Sequence, residues 1–350
     1  MFRWGIMGAG YISSQFAKAI ASAENMVVQA VASVSGKNPF GIKAEQYYES
    51  YEALAEASDI DAVYIGTIHP LHLSCARLCL EAGKPVLCEK PVTMNSAELA
   101  ELIALAQAKQ VFFMEAMWSR YLPAVRYVRQ LLAEATCGNP QYMHITFGNC
   151  VPESNGRIHQ AALGGGALLD VGVYGINLAD YWLSGCNESR GLGKENTAFA
   201  GFHLNPDKIR SHAVLNRESV DLTTGVWMMY DNGKGQSVVL DTSCSVQRNM
   251  PNRAVIVTDQ AELVVPYFWR PDKVLGYRLS HSFQANPCIL EKCFPIEGNG
   301  YQYEALEAKR CIEAGLKESP DMTWEDSLRI MRQLDVIRSQ CGICYPQDSR

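Results

Sequence analysis

Arg3-Trp4-Gly5-Ile6-Met7-Gly8-Ala9-Gly10-Tyr11-Ile12 opens the chain with a short apolar run, a turn holding two glycines, and the start of a helix-period stretch over residues 12–21. A strand that turns through Gly-x-Gly into a helix is the opening of a wound α/β sheet. The first glycine permits the tight turn, and the second lets the backbone approach a phosphate at the helix N-terminus. The third small position of that pattern falls on Ser13.

The next hundred residues repeat the theme. Apolar runs at 3–7, 27–33, 62–66, 85–88 and 111–114 are short, rich in Val and Ile, and do not alternate. Strands buried on both faces of a parallel sheet have this texture. Helix-period stretches at 12–21, 51–57, 71–82 and 96–108 lie between them, and Asn95 followed by Glu98 predicts an N-cap with its partner three residues on. A doubly wound parallel sheet over 1–120 follows.

A helix at 124–133 ends near Gly138-Asn139-Pro140, and the texture changes there. Runs at 141–147, 197–202, 222–230, 237–243 and 253–257 are rich in Thr, Val and aromatics, and Asp231-Asn232-Gly233 marks a hairpin. The second part, 121–350, therefore reads as a large, mostly antiparallel open sheet with a helix at 167–183 inserted early and helices at 303–314 and 325–341 at its end.

Bulk properties bound the partners. The chain has 350 residues, 48% hydrophobic and 19% charged, with a formal net charge of -6. That suits two globular domains and disfavours a nucleic-acid partner. No apolar stretch of the roughly 20 residues needed to cross a bilayer is expected. The apolar start, ending in Gly8-Ala9-Gly10, fits a first strand better than a secretory segment. Twelve scattered cysteines point to a reducing cytoplasm. Cys341-Gly342-Ile343-Cys344 has metal or redox spacing but no second pair, so no metal is expected.

Ligands of such sheets bind at the carboxyl ends of the strands. Gly8, Ala9, Gly10, Tyr11 and Ile12 would then hold a dinucleotide's pyrophosphate. The second strand ends in Ala32-Ser33-Val34-Ser35-Gly36-Lys37, with no acid to take a ribose 2′-hydroxyl. Ser33, Ser35 and Lys37 can instead hold a 2′-phosphate, which favours NADP over NAD; a solvated loop is the plainer alternative. Thr67, Ile68, His69 and His72 follow the 62–66 run, and Trp118 and Arg120 follow the 111–114 run. All are candidate cofactor contacts, with helix-start, packing and ion-pair roles as their plainer alternatives.

Glu89-Lys90-Pro91 closes the 85–88 run. A lysine beside a nicotinamide can hydrogen-bond a substrate oxygen and favour the ionised form of a neighbouring acid. Asp170 and Tyr174, in Gly164-Gly165-Gly166-Ala167-Leu168-Leu169-Asp170-Val171-Gly172-Val173-Tyr174, are spaced i, i+4 and share a helix face. Asp170 can orient a hydroxyl while Tyr174 exchanges its proton; a phenol titrates near ~10 unless a cation lowers it. Phe147 and Arg157, with Trp118, are further substrate candidates.

Together Gly8–Gly10, the 67–72 segment, Glu89-Lys90-Pro91, the 114–123 stretch and Gly165–Tyr174 resemble the Gfo/Idh/MocA oxidoreductases, the family of glucose–fructose oxidoreductase and inositol dehydrogenase. Within it the chain is similar to the dimeric dihydrodiol dehydrogenase and sugar dehydrogenase branch, in which tyrosine replaces the histidine that many relatives carry at Tyr174. The resemblance implies a Rossmann domain followed by an α/β domain whose open sheet often dimerises. It implies NADP or NAD, a proton-relay role for Tyr174, a positioning role for Lys90, and a small cyclic polyol or sugar as substrate. Val34 stands where that branch often has an arginine for the 2′-phosphate, and Ile68 replaces a common proline. A non-catalytic NAD(P)-sensing regulator on the same fold and a reductase of an open-chain or tetrapyrrole substrate are the rival expectations.

Overall fold

The computed structural model describes residues 1–152, 154, 156–184, 202–233, 235–280 and 285–349, so the expected strand at 197–202 lies outside the described residues except for Phe202. The chain divides into two compact units, and the division is not a single cut near residue 120. Met1–Tyr121 groups with Glu297–Arg332 and Gln347–Arg350, while Leu122–Ile296 groups with Gln333–Pro346. The C-terminal helical segments thus return in part to the first unit.

In that first unit β1 (Phe2–Met7), α1 (Tyr11–Ser22), β2 (Met26–Ala32), β3 (Gln46–Tyr48), α2 (Tyr51–Glu56), β4 (Ala62–Ile65), α3 (His72–Glu81), β5 (Val86–Glu89), α4 (Ser96–Lys109) and β6 (Phe113–Ala116) alternate as the apolar runs required. The six strands are parallel in the order β3-β2-β1-β4-β5-β6. Every residue of β4, β5 and β6 is buried, which is why those runs show no alternation. Phe16 of α1 stacks on Tyr64 of β4 at 3.8 Å and pins the helix to the sheet. The Asn95 side chain caps α4 through the Glu98 amide at 2.9 Å, as its spacing predicts.

The second unit opens with α5 (Pro123–Ala133) and β7 (Pro140–Gly148). A π-helical turn, Leu168–Gly172, leads into α6 (Val173–Ser184), where the sequence suggests one regular helix. The remaining strands are β8 (His203–Leu215), β9 (Asp221–Asp231), β10 (Ser237–Ser245), β11 (Arg253–Thr258), β12 (Ala261–Pro266), β13 (Lys273–Arg278) and β14 (Cys288–Cys293). With β7 they form an eight-stranded sheet in the order β14-β13-β12-β11-β7-β10-β9-β8, antiparallel throughout except for β7 beside β10.

The helix lies close on this sheet because two glycines face it. A Cβ on Gly172 would stand 2.7 Å from Cys244 Sγ, and one on Gly175 would stand 2.7 Å from Thr242 Oγ1. Ala161–Leu183 is, among the described residues, the one helical stretch long and apolar enough to cross a membrane, contrary to the expectation of none. Its apolar window is 72% buried in the protein, so the composition is that of a core helix. Two further helices, α7 (Gln302–Glu313) and α8 (Trp324–Cys341), end the element order before a short 3-10 turn.

Candidate active site

The carboxyl ends of β1, β2 and β4 bring the expected pyrophosphate turn together. Gly8 has φ +90°, a left-handed conformation that disfavours a side chain, and its N–H donates to the Ala32 carbonyl at 2.9 Å. Gly10 stands at the N-cap of α1 with no side chain closing the helix end. The first amides of that helix, those of Tyr11 and Ile12 included, are therefore the sort of donors that bind phosphate. Ser13 fills the third small position, fully buried, with its hydroxyl 3.4 Å from the Gly66 carbonyl. Gly66 is the complement: a Cβ there would stand 2.3 Å from Ser13 Oγ.

Ser33, Ser35 and Lys37 share one exposed turn after β2. The Ser33 and Ser35 hydroxyls are 3.2 Å apart, Ser33 Oγ donates to the Lys37 carbonyl at 2.8 Å, and the Gly36 amide closes the turn on the Ser33 carbonyl. Tyr11 is exposed and meets Phe40 edge-on at 5.8 Å.

After β4, Ile68 precedes a 3-10 turn, His69–Leu71, and His69 lies 5.7 Å from the His72 ring. His72 is fully buried, with Nδ1 2.9 Å from the Pro91 carbonyl and Nε2 3.2 Å from the Thr67 carbonyl. It therefore ties the segment after β4 to the turn after β5. In that turn the Glu89 carboxylate accepts the Tyr64 hydroxyl at 2.6 Å and the Lys90 amide at 3.1 Å. Glu89 thus shapes the backbone from which half-buried Lys90 projects, across a cis Lys90–Pro91 bond. Trp118 stacks on Tyr301 at 4.5 Å. Arg120 is fully buried and makes the ion pair weighed against a cofactor role: Nη1 donates to the Asp321 carbonyl at 3.0 Å and meets the Asp326 carboxylate at 3.3 Å.

A 710 Å³ cleft lies at the other end of this sheet, lined by Asn25, Asp61, Lys84 and Lys309 among others. Its lysines are engaged, Lys84 by the Ala57 and Ile60 carbonyls and Lys309 by Glu313. The strand ends bearing Gly8 and Lys90 are the better candidate on chemistry.

In the second unit the glycine run is a matter of space. A Cβ on Gly165 would press into the Arg157 and Ile158 carbonyls, and Gly166 takes φ +114°. The π-turn that follows carries Asp170, whose Oδ1 accepts Arg157 Nη2 at 2.7 Å. Widened turns of this kind gather at functional sites. Tyr174 begins α6 nearly buried, its ring 5.7 Å from Phe147 at a tilt of 62°. Phe147 lies flat on Trp269 at 3.9 Å, with Phe268 at 5.8 Å from both. Trp269 and Phe268 are absent from the sequence-based candidates, although Tyr267-Phe268-Trp269 was the available signal.

Residues 2–117 match the model of the oxidoreductase family with an NAD-binding Rossmann fold, and residues 125–264 match that of the GFO/IDH/MocA C-terminal domain. The chain belongs to the Gfo/Idh/MocA oxidoreductase family. With the family comes the class: an NAD(P)-dependent oxidoreductase acting on CH–OH groups, as the residues suggested. It is 36% identical over 358 residues to a Danio rerio protein named trans-1,2-dihydrobenzene-1,2-diol dehydrogenase, covering 99% of both chains. Its Homo sapiens namesake is 32% identical over 359 residues, again covering 99% of each. The fold matches the 3-ketoreductase KijD10 of Actinomadura kijaniata, in complex with NADP and TDP-benzene, at TM-score 0.77, 22% identity, and 97% and 98% of the two chains. An aldose-aldose oxidoreductase from Caulobacter crescentus matches at TM-score 0.77, 18% identity, and 100% and 98%.

Proposed function

We propose that this oxidoreductase acts on a secondary alcohol of a small ring compound, a trans-dihydrodiol or a cyclic sugar, with NADP preferred over NAD. One observation carries the reading: a carboxylate held by an arginine, Asp170 with Arg157, on a glycine-cradled π-turn, and a phenol, Tyr174, on the helix that the turn leads into, beside an aromatic wall. A flat ring bearing adjacent hydroxyls matches that combination of stacking surface and polar anchors. The full-length relatives named for a dihydrodiol support it.

When bound, NADP supplies the acceptor or donor of hydride. Asp170 orients the substrate hydroxyl and Arg157 holds Asp170 in place. Tyr174 takes the hydroxyl proton on oxidation and returns it on reduction. The Lys90 ammonium hydrogen-bonds the same substrate oxygen and stabilises the charge that develops there. Trp118 and Phe147 contribute apolar walls. The Gly8–Ile12 turn receives the pyrophosphate and the Ser33, Ser35 and Lys37 turn the 2′-phosphate, while Thr67, Ile68, His69, His72, Glu89 and Arg120 shape the segments around it.

The open face of the eight-stranded sheet, where Trp227 is 40% and Val214 57% exposed, suits a second copy of the chain and a homodimer. Eleven free cysteines among the described residues suit a reducing cytoplasm. The test is to follow NADPH and NADH absorbance with trans-dihydrodiols, pyranoses, open-chain alcohols and their carbonyls. Turnover on cyclic members with NADP is expected. NADP binding with no turnover on any member would return the chain to the sensor reading.

A further inference from the structure

The π-turn carrying Asp170 has no cap of its own. Ala167 precedes it with no side-chain acceptor, so the leading N–H groups of this helical segment need a partner from elsewhere. One comes from 53 residues further on: Asp221, the first residue of β9, accepts the Leu168 N–H on Oδ2 at 2.7 Å. The same oxygen accepts the Thr224 hydroxyl at 2.7 Å. Asp221 is fully buried, and its other oxygen packs where a Cβ on Gly166 would stand, 2.3 Å away. Tyr345 holds the turn from another side, its hydroxyl donating to the Gly165 carbonyl at 2.6 Å.

We propose that Asp221 is a positioning residue, a remote cap that fixes the π-turn carrying Asp170 and, through it, the start of α6 carrying Tyr174; this rests on the function proposed above. The glycine run then has a second purpose. Gly166 leaves room for a carboxyl group to reach the start of the helix from a neighbouring strand, a place that a local Ser or Asp cap would ordinarily fill. Leu168 precedes Asp170 by two residues, so a shift of its amide moves the carboxylate with it.

Burial holds the Asp221 carboxyl above its ordinary range, with the Asp170 charge as the smallest contribution and the Thr224 and Leu168 donors opposing. An asparagine keeps an acceptor oxygen for the same two donors, the Leu168 amide and the Thr224 hydroxyl. Asp221→Asn should therefore restore most of what Asp221→Ala loses.

The test uses the full-length enzyme and reads turnover together with hydrogen exchange of amides 168–174 by mass spectrometry. Asp221→Ala should lower kcat at least about tenfold, the scale for a small misplacement of reacting groups. Its KM for NADP should stay within about twofold, and exchange at 168–174 should rise. Asp221→Asn should return kcat to within about threefold of wild type. Should Asp221→Ala not fold, Thr224→Val removes the hydroxyl that steadies the same carboxylate oxygen, and a smaller change of the same kind is expected. Wild-type exchange at 168–174, or raised exchange with wild-type kcat, overturns the proposal. A wild-type enzyme inert toward every substrate would defeat the functional reading instead, and the exchange measurement would then decide the cap alone.

Discussion

Gly66→Ala puts the fit between α1 and β4 under direct strain. The new methyl would stand 2.3 Å from Ser13 Oγ, 2.9 Å from Tyr64 Cε1 and 3.3 Å from Ile12 Cγ2. The site is crowded: Ser13 is fully buried, and Tyr64 is held by its stack on Phe16 and its bond to Glu89. Overpacking of this kind costs about 1–3 kcal/mol. At about 2–4 °C per kcal/mol for a unit of this size, the melting temperature should fall by about 2–12 °C. Relief means moving α1, whose N-terminal amides are the proposed pyrophosphate donors, so NADP binding should weaken as well. Ser13→Gly added to Gly66→Ala removes the closest clash and leaves the one at Tyr64, so it should recover part of both losses. Ser13→Ala alone forfeits only a long hydrogen bond and should cost under about 1 kcal/mol. Thermal melts and fluorescence titration with NADP read all three. A Gly66→Ala protein with wild-type melting and wild-type NADP affinity would refute the packing argument.

Three further outcomes are expected. Lys37→Ala should weaken NADP binding by about tenfold, the scale of about 1.4 kcal/mol for one charge-assisted contact, and leave NAD binding within about twofold; equal losses for both cofactors, by titration, would remove Lys37 from the 2′-phosphate. Arg120→Met should destabilise by about 1–3 kcal/mol, because buried Asp326 loses one of its two arginines and keeps the other, Arg329, at 2.6 Å, and chemical denaturation reads the loss; a neutral result would mean the pair is not structural. Burial first, and then the Glu89 charge, holds the Glu304 carboxyl well above its ordinary 4.5. The folded protein keeps that proton longer than the unfolded chain does, so Glu304 carries no penalty below 4.5 and an increasing one as pH rises from there toward its folded value. Glu304→Gln should therefore gain stability relative to wild type as pH rises above 4.5, and a melting difference that is flat with pH would contradict this.

The first unit was legible because its strands are buried on both faces and read as unbroken apolar runs. Its exception, β3, is a three-residue polar edge strand with no buried residue, too short for any pattern to show. The second unit was less legible. Strands β12 and β13 alternate buried with half-exposed residues, and β14 has none buried, so Cys288–Cys293 has no core-facing period at all. The candidate site divides the same way. Gly8, Gly10, Lys90, Asp170 and Tyr174 lie in local motifs that name their own context. Asp221 and Trp269 do not, since each meets its partners only across long stretches of chain: Leu168 53 residues before Asp221, and Phe147 through a ring stack. The π-turn was equally hidden, because the i, i+4 spacing of Asp170 and Tyr174 looks the same whether or not the turn is widened.

The central claim is that Lys90 and Tyr174 act on one reacting alcohol, and a double-mutant cycle on turnover tests it most directly. Tyr174→Phe and Lys90→Met should each lower kcat at least about a hundredfold. Groups that work as a unit are non-additive, so the double variant should fall little further than the worse single one. Near-wild-type turnover in either single variant, or losses that simply multiply in the double, would contradict the account.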